Sequence, residues 1–212
     1  MNTKLSNNDN FNQRNLDLVT DFLRKAESVS SKEKQRLRVP EFPPNHTWFN
    51  VDKPLTIEGT LRGKLVLIDF WTYCCINCLH VLPDMEYLEQ KFHSENSIVF
   101  MGCHTAKFLN EQDPEKVRDA VLKYEIKHPV INDDKRICWR NFERRSWPGL
   151  IVLSPSGFPI LILSGEGHRA LLDLFLSVSY DFYYDKLNHD ARIPWALEES
   201  KTNKSSKKMS RE

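Results

Sequence analysis

The segment from residue 65 to residue 78, LVLIDFWTYCCINC, constrains the fold more than any other part of the chain. Its first half is a continuous apolar run, which is typical of a strand buried on both faces. Its second half contains a Cys-x-x-Cys pair, Cys75 and Cys78, where a helical pattern begins. Because unpaired amides at a helix N-terminus favour an anion, the first cysteine can be a thiolate near neutral pH. The segment therefore predicts a thiol–disulfide redox centre at a strand-to-helix junction.

Composition narrows the classes of protein that fit this segment. The chain has 212 residues, of which 40% are hydrophobic, enough for one folded domain with tails. Its 30 basic and 29 acidic residues nearly cancel, so nothing indicates a nucleic-acid partner or an anionic membrane surface. No apolar stretch fits a signal peptide or a membrane span, and the five cysteines do not resemble a secreted disulfide framework. We therefore expect a reducing, cytoplasmic location.

The order of patterns along the chain predicts three parts. Residues 1–44 are expected to form a flexible region with a short amphipathic helix, whose apolar stripe begins at Leu16, and a Pro-rich linker. Residues 45–190 form the folded domain. The Lys- and Ser-rich residues 191–212 form a disordered basic tail.

Within the folded domain, apolar runs alternate with segments of helical spacing. Strands are predicted at residues 54–57, 65–71, 97–103, 128–131, 149–153 and 160–164. Helices are predicted at residues 79–92, 113–124, 133–142 and 171–187. The tetrapeptide Ser154-Pro155-Ser156-Gly157 fits a type I turn, so its flanking strands should pair antiparallel. This order predicts an α/β fold, a mixed central sheet with helices on both faces.

Two residues outside the cysteine pair add specificity to the redox interpretation. Asp69 lies inside the apolar run, six positions before Cys75. A carboxylate there is costly unless it has a task, and burial should raise its pKa. Pro148 directly precedes a predicted strand, where a cis peptide could lie beside the dithiol.

These residues together resemble the thioredoxin family. DFW leads into Cys-x-x-Cys, Asp69 precedes the first cysteine by six, Pro83 follows the second by five, and Pro148 precedes the hairpin. A helix and a strand inserted before Pro148 make the order similar to thioredoxin-like reductases related to cytochrome maturation. The segments YCCINC, TAKF and GEGH are similar to the N-terminal thioredoxin-like domain of NHL repeat-containing proteins. The resemblance covers about residues 48–184.

The resemblance implies a mechanism and a class of partner. Cys75 would attack a substrate disulfide as a thiolate, and Cys78 would resolve the mixed disulfide. Asp69 would accept a proton near Cys78, and the backbone around Trp147 and Pro148 would pair with an extended substrate segment. Protein thiols and disulfides are the implied partners, with no cofactor and no metal. A β-propeller follows this domain in the longer relatives, so we expect an isolated domain, a short form or a fragment here.

Three positions depart from the family pattern. Ile76 and Asn77 replace the usual Gly-Pro between the cysteines, which should change the redox potential. Cys74 replaces the usual Trp, either as a regulatory thiol or as a packed side chain. Trp147 is bulkier than the residue usually found before the proline, so it could narrow the substrate groove.

Two other functions remain open at this point. Cys74 and Cys78 also make a Cys-x-x-x-C spacing, which with a distal His168 would suit a copper chaperone. Alternatively, the domain is an interaction module without turnover. Cys103 is expected to be a core strand residue and Cys138 a helix residue, rather than redox partners.

Overall fold

A computed structural model describes residues 7–190 and 193 of the chain. Its centre is a six-stranded mixed sheet in the order β1-β4-β3-β2-β5-β6. The strands are β1 (Trp48–Phe49), β2 (Leu65–Trp71), β3 (Ile98–Thr105), β4 (Val130–Asp133), β5 (Gly149–Leu153) and β6 (Pro159–Ser164). The helices are α1 (Asn7–Ser28), α2 (Ser31–Leu37), α3 (Ile76–Lys91), α4 (Pro114–Lys123), α5 (Ile137–Asn141) and α6 (Arg169–Tyr183). This is the mixed α/β architecture that the sequence predicted.

The strand that leads to the cysteines is the centre of the sheet. β2 pairs in parallel with β3 and antiparallel with β5, and all seven of its residues are buried. Its alternate side chains point to opposite faces, and both faces are covered. Leu65 and Leu67 contribute to the core beneath α1, α3 and α6, whereas Val66 and Ile68 contribute to the core on the other face. A continuous apolar run is the pattern that two buried faces require.

The cap predicted for α4 and the turn predicted between β5 and β6 are both present. Asp113 caps α4 by accepting the amide of Glu115 at 3.0 Å, with Pro114 in the first turn. The amide of Gly157 donates to the carbonyl of Ser154 at 2.9 Å, which closes the turn between β5 and β6. The φ of Gly157 is 81°, a left-handed conformation that favours glycine.

Several predicted bounds were wrong. Residues 54–57 form no strand: they lead into a turn, where Leu55 and Ile57 are buried because the segment covers one face of the sheet. The short strand β1 lies at Trp48–Phe49 instead. The N-terminal helix is also longer than predicted, because α1 begins at Asn7.

The N-terminal helix α1 packs on the domain. The side chain of Leu23 is fully buried in the core shared with α6. Glu27 accepts a hydrogen bond from the hydroxyl of Tyr183 at 3.0 Å and forms ion pairs with Lys34 and Lys186. Hydrophobic burial and this polar cluster together hold α1 against α6.

The basic tail predicted at residues 191–212 lies outside the described residues, except for Ile193, which is buried against the core. Among the described residues, no helix is both long and apolar enough to cross a bilayer.

Candidate active site

Cys75 lies at the junction between β2 and α3, where the redox pair was predicted. It is the N-cap residue of α3, with extended backbone angles, and it is half-buried. Its amide donates to the carbonyl of Thr72 at 3.1 Å, and its Sγ lies 3.9 Å from the carbonyl oxygen of Trp147. This half-buried sulfur therefore lies at the end of α3 where the first-turn amides have no intrahelical partners.

Cys78 lies one turn into α3, behind Cys75. Its side chain is fully buried, and its thiol is hydrogen-bonded to Cys75. Burial, with smaller contributions from Cys75 and from the charge of Asp69, raises the pKa of the Cys78 thiol far above its ordinary value. The two sulfurs thus differ in kind: one reaches solvent, whereas the other must lose a proton inside the protein before it can react.

Asp69 is the buried acid of the site. It lies in β2 with zero exposure, and neither carboxylate oxygen has a hydrogen-bond partner among the described residues. Burial raises its pKa from 3.8 to about 7, although the charge of His128 opposes that rise. A carboxyl group with a pKa near 7 can take and return a proton at neutral pH.

Trp147 and Pro148 form the third side of the site. The peptide bond between them is cis, and Pro148 is buried. The Pro148 carbonyl already accepts the amide of Gly165 at 2.9 Å, so it belongs to the sheet. The Trp147 ring packs against the same hydrophobic cluster as Cys75, stacks on Trp139 at 3.8 Å between ring centroids, and donates through Nε1 to the carbonyl of Thr105 at 3.2 Å.

The sheet order, the helix that follows the dithiol and the cis-proline beside it can be compared with those of known proteins. The model of the family described as thioredoxin-like matches residues 63–158. Residues 63–158 belong to the thioredoxin-like family. A solved structure, "Solution Structure of a Thioredoxin-like Protein in the Oxidized Form", superposes on this thioredoxin-like domain with a TM-score of 0.59 at 21% identity. It covers 69% of this chain and 98% of that one, which supports the fold.

Two curated relatives are much longer proteins. The chain is 41% identical over 169 residues to NHL repeat-containing protein 2 of Bos taurus, covering 80% of this chain. It is 46% identical over 161 residues to Protein SUPPRESSOR OF QUENCHING 1, chloroplastic, of Arabidopsis thaliana, covering 76% of this chain. The matched segments span only 23% and 15% of those relatives.

A buried glutamate beside the loop that carries the cysteines was not predicted from the sequence. Glu111 has zero exposure and accepts hydrogen bonds from the Thr72 hydroxyl and from the amides of Lys107 and Phe108, the latter two at 2.8 and 2.9 Å. Burial alone would raise the pKa of Glu111, but hydrogen bonds, including one from Cys74, hold it below its ordinary value. Glu111 therefore anchors the loop that follows β3 to the loop that carries Cys74.

Cys74 is exposed and lies next to this glutamate. Burial of its sulfur and the hydrogen bond to Glu111 raise the pKa of the Cys74 thiol. Since the thiolate is the reactive form, Cys74 is a poorer nucleophile than an ordinary surface cysteine.

A second group of two cysteines and an aspartate lies on the opposite face of the sheet. Cys103, Cys138 and Asp133 are all buried, and their ligand atoms lie within 4.8 Å of one another. Asp133 accepts the amides of Cys138 and Trp139, each at 2.9 Å, and the hydroxyl of Thr105 at 3.1 Å. Cys103 lies in the buried strand β3 and Cys138 in the helix α5, as predicted, but their proximity was not foreseen.

The copper interpretation requires Cys74, Cys78 and His168 to converge. Among the described residues, the only compact group of three metal-ligand side chains is Cys103, Asp133 and Cys138. His168 instead lies before α6, where its Nε2 is 3.1 Å from the carbonyl of Ser164. The three side chains needed for copper are therefore not assembled.

Proposed function

We propose that this chain is a thiol–disulfide oxidoreductase domain that exchanges disulfides with protein substrates. The observation that carries the proposal is the unequal pair at the start of α3, with Cys75 accessible and Cys78 buried behind it in hydrogen-bond contact. An accessible sulfur at a helix N-terminus can attack, and a buried neighbour within reach can resolve.

The cycle needs two sulfur exchanges and one internal proton transfer. The Cys75 thiolate attacks a substrate disulfide, forms a mixed disulfide and releases the first substrate sulfur as a thiolate. Cys78 then gives its proton to Asp69 and attacks Sγ of Cys75, which forms the Cys75–Cys78 disulfide and releases the second substrate sulfur. The substrate is reduced by two electrons, and the dithiol is oxidised by two. A thiol reductant returns the pair to its starting state, and we place this cycle in the cytoplasm.

Exposed apolar side chains around Cys75 suit a polypeptide substrate. Ile76 is 63% exposed, Phe108 is 57% exposed and Leu109 is 83% exposed. The loop that carries the latter two is tied to the cysteine loop, because the Tyr73 hydroxyl donates to the carbonyl of Asn110 at 3.1 Å. Exposed apolar groups in one area of a soluble domain are typical of an interaction surface. An extended substrate segment would contact these side chains and the Trp147 backbone.

The test is to trap the mixed disulfide. We expect the Cys78→Ser variant to form a stable adduct through Cys75 with a disulfide-bonded model peptide, because the resolving sulfur is gone. Intact-mass spectrometry should show one peptide per chain, removable by dithiothreitol.

The matched control is the Cys78→Ser, Cys75→Ser double variant, which should form no such adduct. Absence of an adduct in the Cys78→Ser variant, or an equal amount in the double variant, would show that Cys75 is not the attacking group.

A further inference from the structure

Near Cys78, two side chains of β2 and one from the segment before β4 carry buried polar atoms that lack hydrogen-bond partners within the described residues. They are both carboxylate oxygens of Asp69, Nε1 of Trp71 and Nε2 of His128. The carboxylate is an acceptor, the indole is a donor, and an imidazole nitrogen can be either. Buried polar atoms are nearly always satisfied, so complementary groups left together indicate a polar site rather than a packing accident.

A glycine makes the room for this polar site. Gly102 in β3 pairs with Asp69 in β2, so the two residues lie side by side in the sheet. A Cβ at position 102 would lie 2.9 Å from Nε1 of Trp71 and 3.3 Å from Nε2 of His128. Any side chain at this position would therefore fill the space between the indole, the imidazole and the neighbouring carboxyl group.

His128 extends from this space toward the surface. Its side chain is only 3% exposed, and its Nδ1 lies 2.6 Å from Oε1 of Glu89, whose side chain is 12% exposed. His128 and Glu89 both line a surface cavity of about 220 Å³ beside α3, together with Pro83 and Tyr124. The imidazole therefore has one nitrogen toward the buried site and one on a carboxylate at the cavity wall.

We propose that His128 and Glu89 carry the proton of Asp69 between the buried active site and the solvent. The proposal rests on the redox function proposed above and assigns the exit path of that reaction. His128 and Glu89 act through Asp69 and do not touch the substrate, so they are positioning residues rather than catalytic ones.

The proton transfers balance along this path. During resolution, Cys78 gives its proton to Asp69, directly or through a water. Asp69 passes a proton to Nε2 of His128 while Nδ1 releases its own proton to Glu89, and Glu89 releases it into the cavity. Reduction of the disulfide reverses each transfer. The raised pKa of Asp69 supports this role, because a carboxyl group with a pKa near 7 can both accept and release a proton at neutral pH.

Other charged groups surround the outer end of this path. From α3, Glu86 faces the same cavity, and its carboxylate lies 3.7 Å from the ammonium of Lys127. Glu125 lines the cavity from the segment after α4. Cys78 is the titratable group that faces Asp69 from α3, and His128 faces it from the segment before β4.

The experiment isolates the resolving step. In a Cys74→Ser background, Cys75 is converted to its mixed disulfide with thionitrobenzoate, and release of the coloured thiolate is followed by stopped-flow absorbance. Glu89→Gln keeps the size of the side chain but removes the proton acceptor. Glu86→Gln is the matched control, because it lies on the same helix and cavity but has no bond to His128.

We expect Glu89→Gln to slow release by roughly tenfold to a hundredfold at pH 7, within the range of general acid–base effects. Raising the concentration of imidazole buffer should restore the rate in this variant, while the wild type and Glu86→Gln should not respond. Rescue by a small proton carrier is a result that a purely structural role would not give.

Release at the wild-type rate in Glu89→Gln, or slow release that imidazole does not restore, would overturn the relay. If Cys78→Ser still traps a substrate in that case, the redox function stands and only the exit path is wrong. If Cys78→Ser traps nothing, the redox function itself fails. Melting curves of both glutamate variants provide the check that each is folded.

Discussion

Two groups of the same composition, two cysteines and one aspartate, lie on opposite faces of one sheet. In the first group, Cys75 is partly accessible, Cys78 is buried and the Asp69 side chain has no hydrogen-bond partner among the residues that the structure describes. In the second group, which comprises Cys103, Cys138 and Asp133, every side chain is buried and the aspartate accepts three hydrogen bonds. Proximity of two thiols is therefore common to both groups and does not by itself make a redox centre.

The two groups differ in the solvent exposure of their cysteines and in the hydrogen bonding of their aspartates. Cys75 begins a helix of sixteen residues, and its sulfur lies at the protein surface. The carboxylate oxygens of Asp133 instead accept hydrogen bonds from two amides near the start of α5, a helix of only five residues. A satisfied carboxylate stabilises a fold, whereas an unsatisfied one stores free energy that chemistry can use. Each prediction below tests one part of this contrast.

The largest expected effect is loss of activity on Cys75→Ser. Thiol transfer to a disulfide-bonded peptide should fall to the uncatalysed rate, because the proposed cycle uses the sulfur of Cys75 as the attacking atom. Cys103→Ala is the matched control from the second group and should retain activity. Transfer that survives in Cys75→Ser would mean that another thiol does the chemistry.

The next largest expected effect is a difference in alkylation rate between the thiols of the two groups. In the native protein, Cys103 and Cys138 can react with iodoacetamide only when the core opens. We therefore expect their labelling to be slower than that of Cys75 by at least about 10³-fold, given typical stabilities of 5 kcal/mol or more. Peptide mass spectrometry after timed labelling measures the ratio. Similar alkylation rates at all three cysteines would contradict the burial of the second group.

Asp69→Asn should stabilise the protein at alkaline pH. Because folding raises the pKa of Asp69 from 3.8 to about 7, the folded protein holds this proton more tightly than the unfolded chain does. The stability of the wild type should therefore fall as the pH rises from about 4 to about 7, by roughly 4 kcal/mol at 1.4 kcal/mol per pKa unit. The variant lacks this loss, so its melting temperature should exceed that of the wild type at pH 8 and match it near pH 4.

Asp133→Asn should destabilise the protein at pH 8, where Asp69→Asn is expected to stabilise it. Its carboxylate accepts the amides of Cys138 and Trp139, and an asparagine can offer only one oxygen to them. We expect a loss of about 1–3 kcal/mol at pH 8, the usual cost of an unsatisfied buried donor. Urea unfolding of both aspartate variants under the same conditions measures the difference, and equal shifts would show that hydrogen bonding does not distinguish the two carboxylates.

The sequence was most informative where local pattern decides structure. The junction between β2 and α3 was predicted from the apolar run of β2, the cysteine spacing and Asp69. This was sufficient because the burial of a strand and the start of a helix are determined by a few neighbouring residues. Pro148 was identified from its place before a strand, although its nearness to Cys75 depends on the pairing of β2 with β5. The roles assigned to these residues stay predictions until the variants are measured.

What the sequence did not reveal depends on contacts between distant segments. Glu111 lies in a polar stretch that resembles an ordinary surface loop, yet it is buried against Thr72. His128 and Glu89 are 39 positions apart and meet only because the chain crosses from α3 to the start of β4. The predicted strand at residues 54–57 failed for a related reason: its apolar side chains cover a face of the sheet without pairing in it.

The smallest expected effect concerns Cys74, which is exposed but belongs to neither group of two cysteines and one aspartate. The raised pKa of this thiol, caused by burial of its sulfur and the hydrogen bond to Glu111, leaves little thiolate at pH 7. We therefore expect Cys74→Ser to change peptide turnover by less than about twofold, as for a surface substitution away from the reaction. Glu111→Gln is the informative partner, because it removes the carboxylate that opposes ionisation of Cys74. If Cys74 is alkylated faster in Glu111→Gln than in the wild type, the glutamate keeps this thiol inactive. A large loss of turnover in Cys74→Ser alone would instead place Cys74 in the redox cycle.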